Sequence, residues 1–261
     1  MDRIQDHYLE QPLAANPVRR RYTVGFARGR DEIRAAQRLR WQVFAGEMGA
    51  RLRGAEPGLD QDHYDPLCEH LVVCDEETGD TVGTYRILSP EASIRAGGYY
   101  AEEEFDLSSL TAIRGSLVEV GRSCIHPRHR SGTVIGLLWS GLARYMLASG
   151  HRYLAGCASL GMNDGGHAAA SIFERLRHRH LAPTQFRVFP RRCLPLDELD
   201  ATVPSGPPPL VRGYLRAGAW VCGEPAWDPD FNTADLFVLL PLARLSARHA
   251  RHFFGDTLRV G

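Results

Sequence analysis

The chain has 261 residues, 44% hydrophobic and 24% charged, which supports a full-sized core and excludes a disordered chain, a collagen-like repeat or a disulfide mini-scaffold. Its 31 basic residues, all arginine, balance 31 acidic ones, so a formal net charge of +0 gives no global pull toward nucleic acid. Arginine forks suit carboxylates and phosphates, so the charge argument is local.

The six cysteines, Cys68, Cys74, Cys124, Cys157, Cys193 and Cys222, form no CxxC pair and no zinc-ligand spacing. They read as free thiols, mostly buried, in a reducing compartment. Residues 1–20 are polar, run into Arg19-Arg20-Arg21 and lack the apolar core of a signal peptide. No apolar run reaches the roughly 18 residues of a membrane span. The expected location is therefore the cytoplasm, and a single domain is expected over residues 21–255 because only Pro204 to Pro209 resembles a linker.

Arg21 to Ala27 alternates as a first strand, and Asp31 is placed to cap a helix whose apolar positions Ile33, Ala36, Leu39, Val43 and Phe44 keep a helical period. Residues 51–66 form a Gly/Pro/Asp-rich loop. His70 to Cys74 and Thr81 to Leu88, joined by a Glu77-Thr78-Gly79-Asp80 turn, read as a hairpin expected at the sheet centre. After a further helical stretch comes a strand over Leu117 to Ile125, stopped by Pro127, which feeds the most apolar helix, Val134 to Ala148. Tyr153 to Ala158 is a strand and Gly166 to Arg177 a short helix; Leu181 to Gly206 is irregular. Pro209 to Ala217 reads as a helix, Trp220 to Gly223 and Asp235 to Leu240 as strands, and Leu242 to Phe254 as a basic terminal helix. The fold class is thus α/β, a mixed and mostly antiparallel sheet flanked by helices, with a carboxy-terminal extension. No repeat of fixed period is present.

Short motifs run in one order along the chain: Leu39-Arg40-Trp41-Gln42-Val43-Phe44 with Glu47, Asp60 to Asp65 (DQDHYD), Gly83-Thr84-Tyr85-Arg86, Glu119 to Pro127 (EVGRSCIHP), Leu138 to Tyr145, Gly156 to Leu160 and Leu210 to Gly218. Over about residues 22 to 255 they resemble the GNAT-like N-acyltransferases that draw acyl groups from acyl carrier protein. Within that group the chain is most similar to the ornithine–acyl-carrier-protein N-acyltransferases, the haemolysin-like branch. Acyl-homoserine-lactone synthases share the Arg/Phe, Asp, Arg and Glu-x-x-Arg landmarks. The resemblance implies a (3-hydroxy)fatty acyl donor carried on the phosphopantetheine of acyl carrier protein, no bound cofactor, ornithine as acceptor and lyso-ornithine lipid as product. A separate O-acyltransferase would complete the lipid at the inner face of the membrane. Two rivals stand beside it, a synthase of another N-acyl amino acid or acyl-homoserine lactone, and a non-catalytic module that binds acyl carrier protein or a membrane.

Aminolysis of a thioester requires a deprotonated amine, donors for the developing oxyanion and a proton for the departing thiolate. Since an α-amino group has a pKa near 8, a carboxylate acting directly or through one water suffices as base. Glu119 is the candidate base, on the strand that in GNAT-like folds borders the thioester. Glu119 and Arg122 are three apart and share a face only if the strand is bulged; Gly121 is the residue expected to permit this, freeing N–H groups for a carbonyl oxygen. The alternative is a structural Glu–Arg pair.

Asp60, Asp62 and Asp65 lack EF-hand spacing, so no metal is expected. They either hold a cationic amino substrate or form a solvated loop, with Asp65 bracing Arg40. Arg40 and Arg86 are candidates to meet a substrate carboxylate or to fix that loop. Phe44 is left open between core and acyl channel, whereas Trp139 is assigned to the core. Arg130, Ser131, Gly132 and Thr133 stand where GNAT enzymes cradle a coenzyme A pyrophosphate. The degenerate spacing favours the single phosphodiester of phosphopantetheine. The Arg-rich flank, with Arg19 to Arg21, either steers an acidic carrier protein or is a solvated face. His178, His180, His249 and His252 form no ligand set. The terminal helix, with Arg244, Arg248 and Arg251 beside Leu242, Leu245, Phe253 and Phe254, packs on the sheet or lies on an anionic membrane.

Overall fold

The computed structural model describes residues 21–52 and 54–245. The expectations for residues 1–20 and for His249, His252, Arg248, Arg251, Phe253 and Phe254 lie outside the described residues.

Strand β1 (Tyr22–Phe26) leads into α1 (Arg30–Trp41), which continues as a wider π-helical turn over Gln42–Glu47. Asp31 is not the cap. The N-cap is Gly29, with Asp31 and Glu32 in the first turn, where Glu32 accepts the N–H of Arg28 at 2.8 Å. The hairpin β2 (Glu69–Asp75) and β3 (Thr81–Leu88) follows the acidic loop. Then comes α2 (Pro90–Ala96), with its Ser89 cap, Pro90 at N1 and Gly97 closing the end in the left-handed region. A 3-10 turn at Tyr100–Glu103 precedes β4 (Phe105–Asp106).

β5 (Leu117–Ile125), α3 (Thr133–Ser149) and β6 (Tyr153–Gly161) form a crossover joining parallel strands. The chain ends with α4 (His167–His180), β7 (Phe189–Pro190), α5 (Pro209–Ala217), β8 (Trp220–Val221), β9 (Ala226–Asp228) and β10 (Thr233–Pro241). Leu242–Arg244 is a single 3-10 turn after which Leu245 is extended, so the expected terminal helix does not start at Leu242.

The main sheet has eight strands in the order β1-β2-β3-β5-β6-β10-β8, with β9 also on β10. Among the strand pairs of the described residues only β5–β6 is parallel, which matches the mixed, mostly antiparallel sheet expected. The hairpin is second and third in this order; β5 holds the centre, because the β5–β6 crossover adds strands on its far side. Leu138, Leu142 and Met146 of α3 pack on Leu71, Val73 and Ile87, while Leu39, Val43 and Phe44 of the first helix pack near Cys124. All six cysteines are free, but only Cys124 and Cys222 are fully buried and Cys193 is exposed. Among the described residues no helix is long and apolar enough to cross a membrane.

The parallel pair is short. β5 and β6 are in register only at Leu117–Tyr153, Val118–Leu154 and Glu119–Ala155, although both strands run on for several residues. Beyond Glu119 they part. Gly156 stands at the parting point, where a Cβ would lie 2.2 Å from the Val120 carbonyl oxygen. Backbone cannot yield as a flexible side chain can, so Gly156→Ala is expected to cost about 1–3 kcal/mol by overpacking, read as a lower urea midpoint with an unchanged slope.

Candidate active site

The acidic loop is tied to α1 first. The N–H of Asp60 donates to the Gln37 carbonyl at 3.2 Å, and Gln61 Nε2 donates to Gln37 Oε1 at 2.9 Å. This delivers three carboxylates to three guanidinium groups. Arg40, 0% exposed, contacts Asp60 Oδ2 at 2.9 Å through Nε and Asp65 Oδ1 at 2.8 Å through Nη2. Arg86 Nη1 donates to both oxygens of Asp62 at 2.6 Å. Arg122 Nε donates to Asp60 Oδ2 at 3.1 Å, and its Nη2 lies 3.6 Å from Asp62 Oδ2. Burial works to raise the Asp62 carboxyl, but Arg86 and then Arg122 outweigh it and hold it below its usual range. Each of these carboxylates meets at least one guanidinium.

On β5 the expected bulge exists, with a different pivot. Thr84 faces Cys124 and Arg86 faces Gly121, so Tyr85 alone stands opposite both Arg122 and Ser123. The left-handed residue is Arg122, φ 51°, and not Gly121. A non-glycine side chain in this region costs roughly 1 kcal/mol, which the surrounding contacts must offset. The Arg122 guanidinium is clamped by Asp60 and lies 4.7 Å from the Tyr100 ring centre and 5.0 Å from that of Phe231.

Glu119, 5% exposed, accepts the N–H of Tyr100 at 2.7 Å on Oε2 and that of Ala101 at 2.8 Å on Oε1. It thereby pins the 3-10 turn that follows α2. Burial raises its pKa to about 7, against the opposing pull of these two N–H donors and Arg86.

The parting of β5 and β6 opens a cavity of about 850 Å³. Glu119, Gly121, Arg122 and Arg86 line it together. One group of walls is apolar and aromatic: Tyr85 and Val120 from the sheet, Ile135 and Trp139 from α3, Val211 and Tyr214 from α5. Trp139 stacks on Tyr214 with ring centres 5.6 Å apart, and the Tyr85 and Tyr214 hydroxyls are hydrogen-bonded. Trp139 thus packs beside the core and also lines the cavity, which corrects its assignment to core alone. Phe44 lines the cavity too, edge-on to Phe231 at 5.8 Å.

A second group of walls is acidic: Glu104, Asp228 and Asp235, beside Cys157 and Ser159. Arg130 and Gly132 form a third part of the lining; Arg130 is paired with Glu47 at 2.6 Å, and Gly132, φ 94°, is the N-cap of α3. Ser131 and Thr133 are exposed and do not line the cavity. Nor do Arg40, Asp60, Asp62 and Asp65, which stand behind Arg86 and Arg122.

Tyr100, Phe231, Glu104, Asp228 and Asp235 escaped the sequence reading. Glu104 ends the run Glu102-Glu103-Glu104, which reads as solvated surface, and Asp228 and Phe231 sit in a loop-like stretch. Asp235 did carry a signal, as a lone carboxylate heading an apolar strand.

The chain matches the model of the "Acetyltransferase (GNAT) domain" family over residues 39–140. It is 38% identical to an L-ornithine N(alpha)-acyltransferase of Rhodobacter capsulatus, over 93% of this chain and 97% of that one. It is 34% identical to a protein of the same name from Brucella abortus, over 90% of each. Among solved structures, the acyl-homoserine-lactone synthase LasI is similar in fold, with a TM-score of 0.53 and 14% identity over 92% of this chain and 96% of that one.

Removing one cation from the ion lattice leaves buried carboxylates uncompensated. Arg40→Met is therefore expected to lower unfolding free energy by about 3–5 kcal/mol. Urea denaturation followed by fluorescence checks this, and a loss below about 1 kcal/mol would show that the lattice is not a structural anchor.

Proposed function

Because the chain belongs to the family of L-ornithine N(alpha)-acyltransferases, we propose that it transfers a (3-hydroxy)fatty acyl group from the phosphopantetheine thioester of acyl carrier protein to the α-amino group of ornithine, giving lyso-ornithine lipid. The observation that carries this reading is the parting of β5 and β6 beyond Glu119. Unpaired strand edges there offer N–H and C=O groups to an extended amide-bearing arm, as in β-augmentation. The aromatic walls between α3 and α5 suit the acyl chain, and the single α3 N-terminus at Gly132, with Arg130, suits one phosphodiester.

The acceptor ammonium loses a proton to Glu119, directly or through one water. The freed lone pair attacks the thioester carbonyl and the C–N bond forms; as the tetrahedral adduct collapses the C–S bond breaks, the nitrogen gives up its second proton and the departing thiolate takes that proton up as a thiol. Backbone N–H groups at the Arg122–Ser123 bulge are our candidates for the oxyanion donors. Arg86 and Arg122 supply positive potential for the acceptor carboxylate. Arg40, Asp60, Asp62 and Asp65 act as positioning residues that hold these two guanidinium groups, and Phe44 borders the acyl path. The reaction takes place in the cytoplasm, with product passing to the inner face of the membrane and to a separate O-acyltransferase.

The test of the reaction is mass spectrometry of lipids from a host lacking amino-acid lipids, expressing the wild type or Glu119→Ala. A hydroxyacyl-ornithine seen only with the wild type is expected; a different N-acyl amino acid would change the acceptor, and no new lipid would overturn the reading.

Glu119 also predicts a pH dependence. With a pKa near 7, its basic form grows as pH rises, so turnover at saturating acceptor should climb through about pH 7 and then level off. Glu119→Gln should remove that limb and lower kcat by about 10²- to 10⁴-fold. An unchanged profile in the variant would remove Glu119 from the proton path.

A further inference from the structure

The acidic wall of the cavity differs from the acidic loop in one respect. Asp60, Asp62 and Asp65 each meet a guanidinium, whereas the strongest charges acting on Glu104 are those of Asp235, Asp228 and Glu119. One carboxylate oxygen from each of Glu104, Asp228 and Asp235 lies within 4.8 Å of the others. Asp235 is 4% exposed and lines the cavity, and with both groups ionised neither its Oδ1 nor Glu104 Oε2 has a hydrogen-bond donor. Buried carboxylate oxygens left unsatisfied are costly, and such a cost persists where a ligand is to meet them.

We propose that Glu104, Asp228 and Asp235 receive the side-chain ammonium of the acceptor amino acid and so select a diamino acid over a neutral one. This rests on the acyl-transfer reading of the same cavity and adds the determinant of acceptor choice. Glu104 is the C-cap of the turn whose Tyr100 and Ala101 amides are held by Glu119 of β5, so the turn ties the two carboxylates together. Cys157 lies two residues beyond Ala155, the register partner of Glu119, lines the same cavity, and its thiol is pushed up by burial and then by the charge of Glu104. An amine positioned at Glu119 thus extends its side chain across Cys157 to the cluster.

Burial, and then repulsion within the cluster, pushes Glu104 and Asp235 up, so at neutral pH the pair retains a proton when no cation is present. Arrival of an ammonium replaces that proton. The other charges acting on this pair are Asp228 and, for Glu104, Glu119, with Cys157, Ser159 and Thr233 as polar groups interacting with it.

The experiment measures thiol release from 3-hydroxyacyl-acyl carrier protein with ornithine and with norvaline, its analogue with the terminal amine replaced by hydrogen, for the wild type, Asp235→Asn and Glu104→Gln. Each variant should lose on the order of 10- to 100-fold in kcat/KM for ornithine, mainly through KM, while norvaline stays within about threefold. Calorimetry in buffers of differing ionisation enthalpy should show wild-type ornithine binding releasing up to one proton more than norvaline binding, a difference absent from Asp235→Asn. Equal losses on both acceptors, or none on ornithine, overturn the inference while leaving acyl transfer intact. Ornithine turnover abolished by a chelator, with Mn²⁺ bound by the wild type and not by Asp235→Asn, also overturns it in favour of a metal site. A wild type that acylates norvaline and ornithine equally rejects the selectivity, and one that acylates neither rejects the underlying acyl-transfer reading as well. Should Asp235→Asn fail to fold, Glu104→Gln, altering a less buried strap residue, carries the same comparison.

Discussion

Three guanidinium groups and three carboxylates, nearly all withdrawn from water, hold this site in shape. Arg40, Arg86 and Arg122 come from a helix and two strands, and the Asp60–Asp65 loop gathers them. None of these charges tolerates burial alone, since desolvation of a single ion costs several kcal/mol. Their mutual satisfaction is therefore close to all-or-none, and the loop, α1 and the β5 bulge are fixed together. The left-handed backbone at Arg122 persists because Asp60, Tyr100 and Phe231 hold its side chain in place.

From that anchor follows the opening of the sheet. Gly156 admits the Val120 carbonyl at the parting point, and the two strands then leave a gap that side chains of three chemical kinds line. Aromatic walls, a helix N-terminus and carboxylates meet where Glu119 sits. One cavity thus offers apolar walls suited to an acyl chain and charged walls suited to a small zwitterion.

Much of the scaffold was legible from alternation and helical period. The hairpin, β5, α3 and β6 stand where the pattern placed them: α3 buries Val134, Leu138, Leu142 and Met146 along one face, and the hairpin strands are short apolar runs buried on both faces. Helix α2 carried a plain signal in Ser89-Pro90-Glu91 and Gly97, the cap and stop residues of a short helix. The site was legible in part. Glu119 and Arg122 could be picked out as neighbours across a bulge, yet the pivot lay at Arg122, since glycine content does not tell which residue tertiary contacts will strain. The Asp60–Asp65 carboxylates could be read as substrate ligands only while their arginine partners, 20 or more residues away in the chain, were unknown. Likewise Glu104, at the end of a turn, and Asp235, on β10, meet only in the folded chain, and no local spacing announces it.

The π-helical turn at Gln42–Glu47 sets the angular phase of everything after Trp41. An α-helical residue advances about 100° around the axis, and a π turn accommodates one extra residue. Upstream of it, Arg40 is aimed at the ion lattice; downstream, Phe44 and Glu47 are aimed at the cavity. The turn decouples those two aims. A helix wound uniformly would have to satisfy both with one periodicity, whereas here the cavity wall can be re-clocked by a single residue while the buried charges behind it keep their alignment.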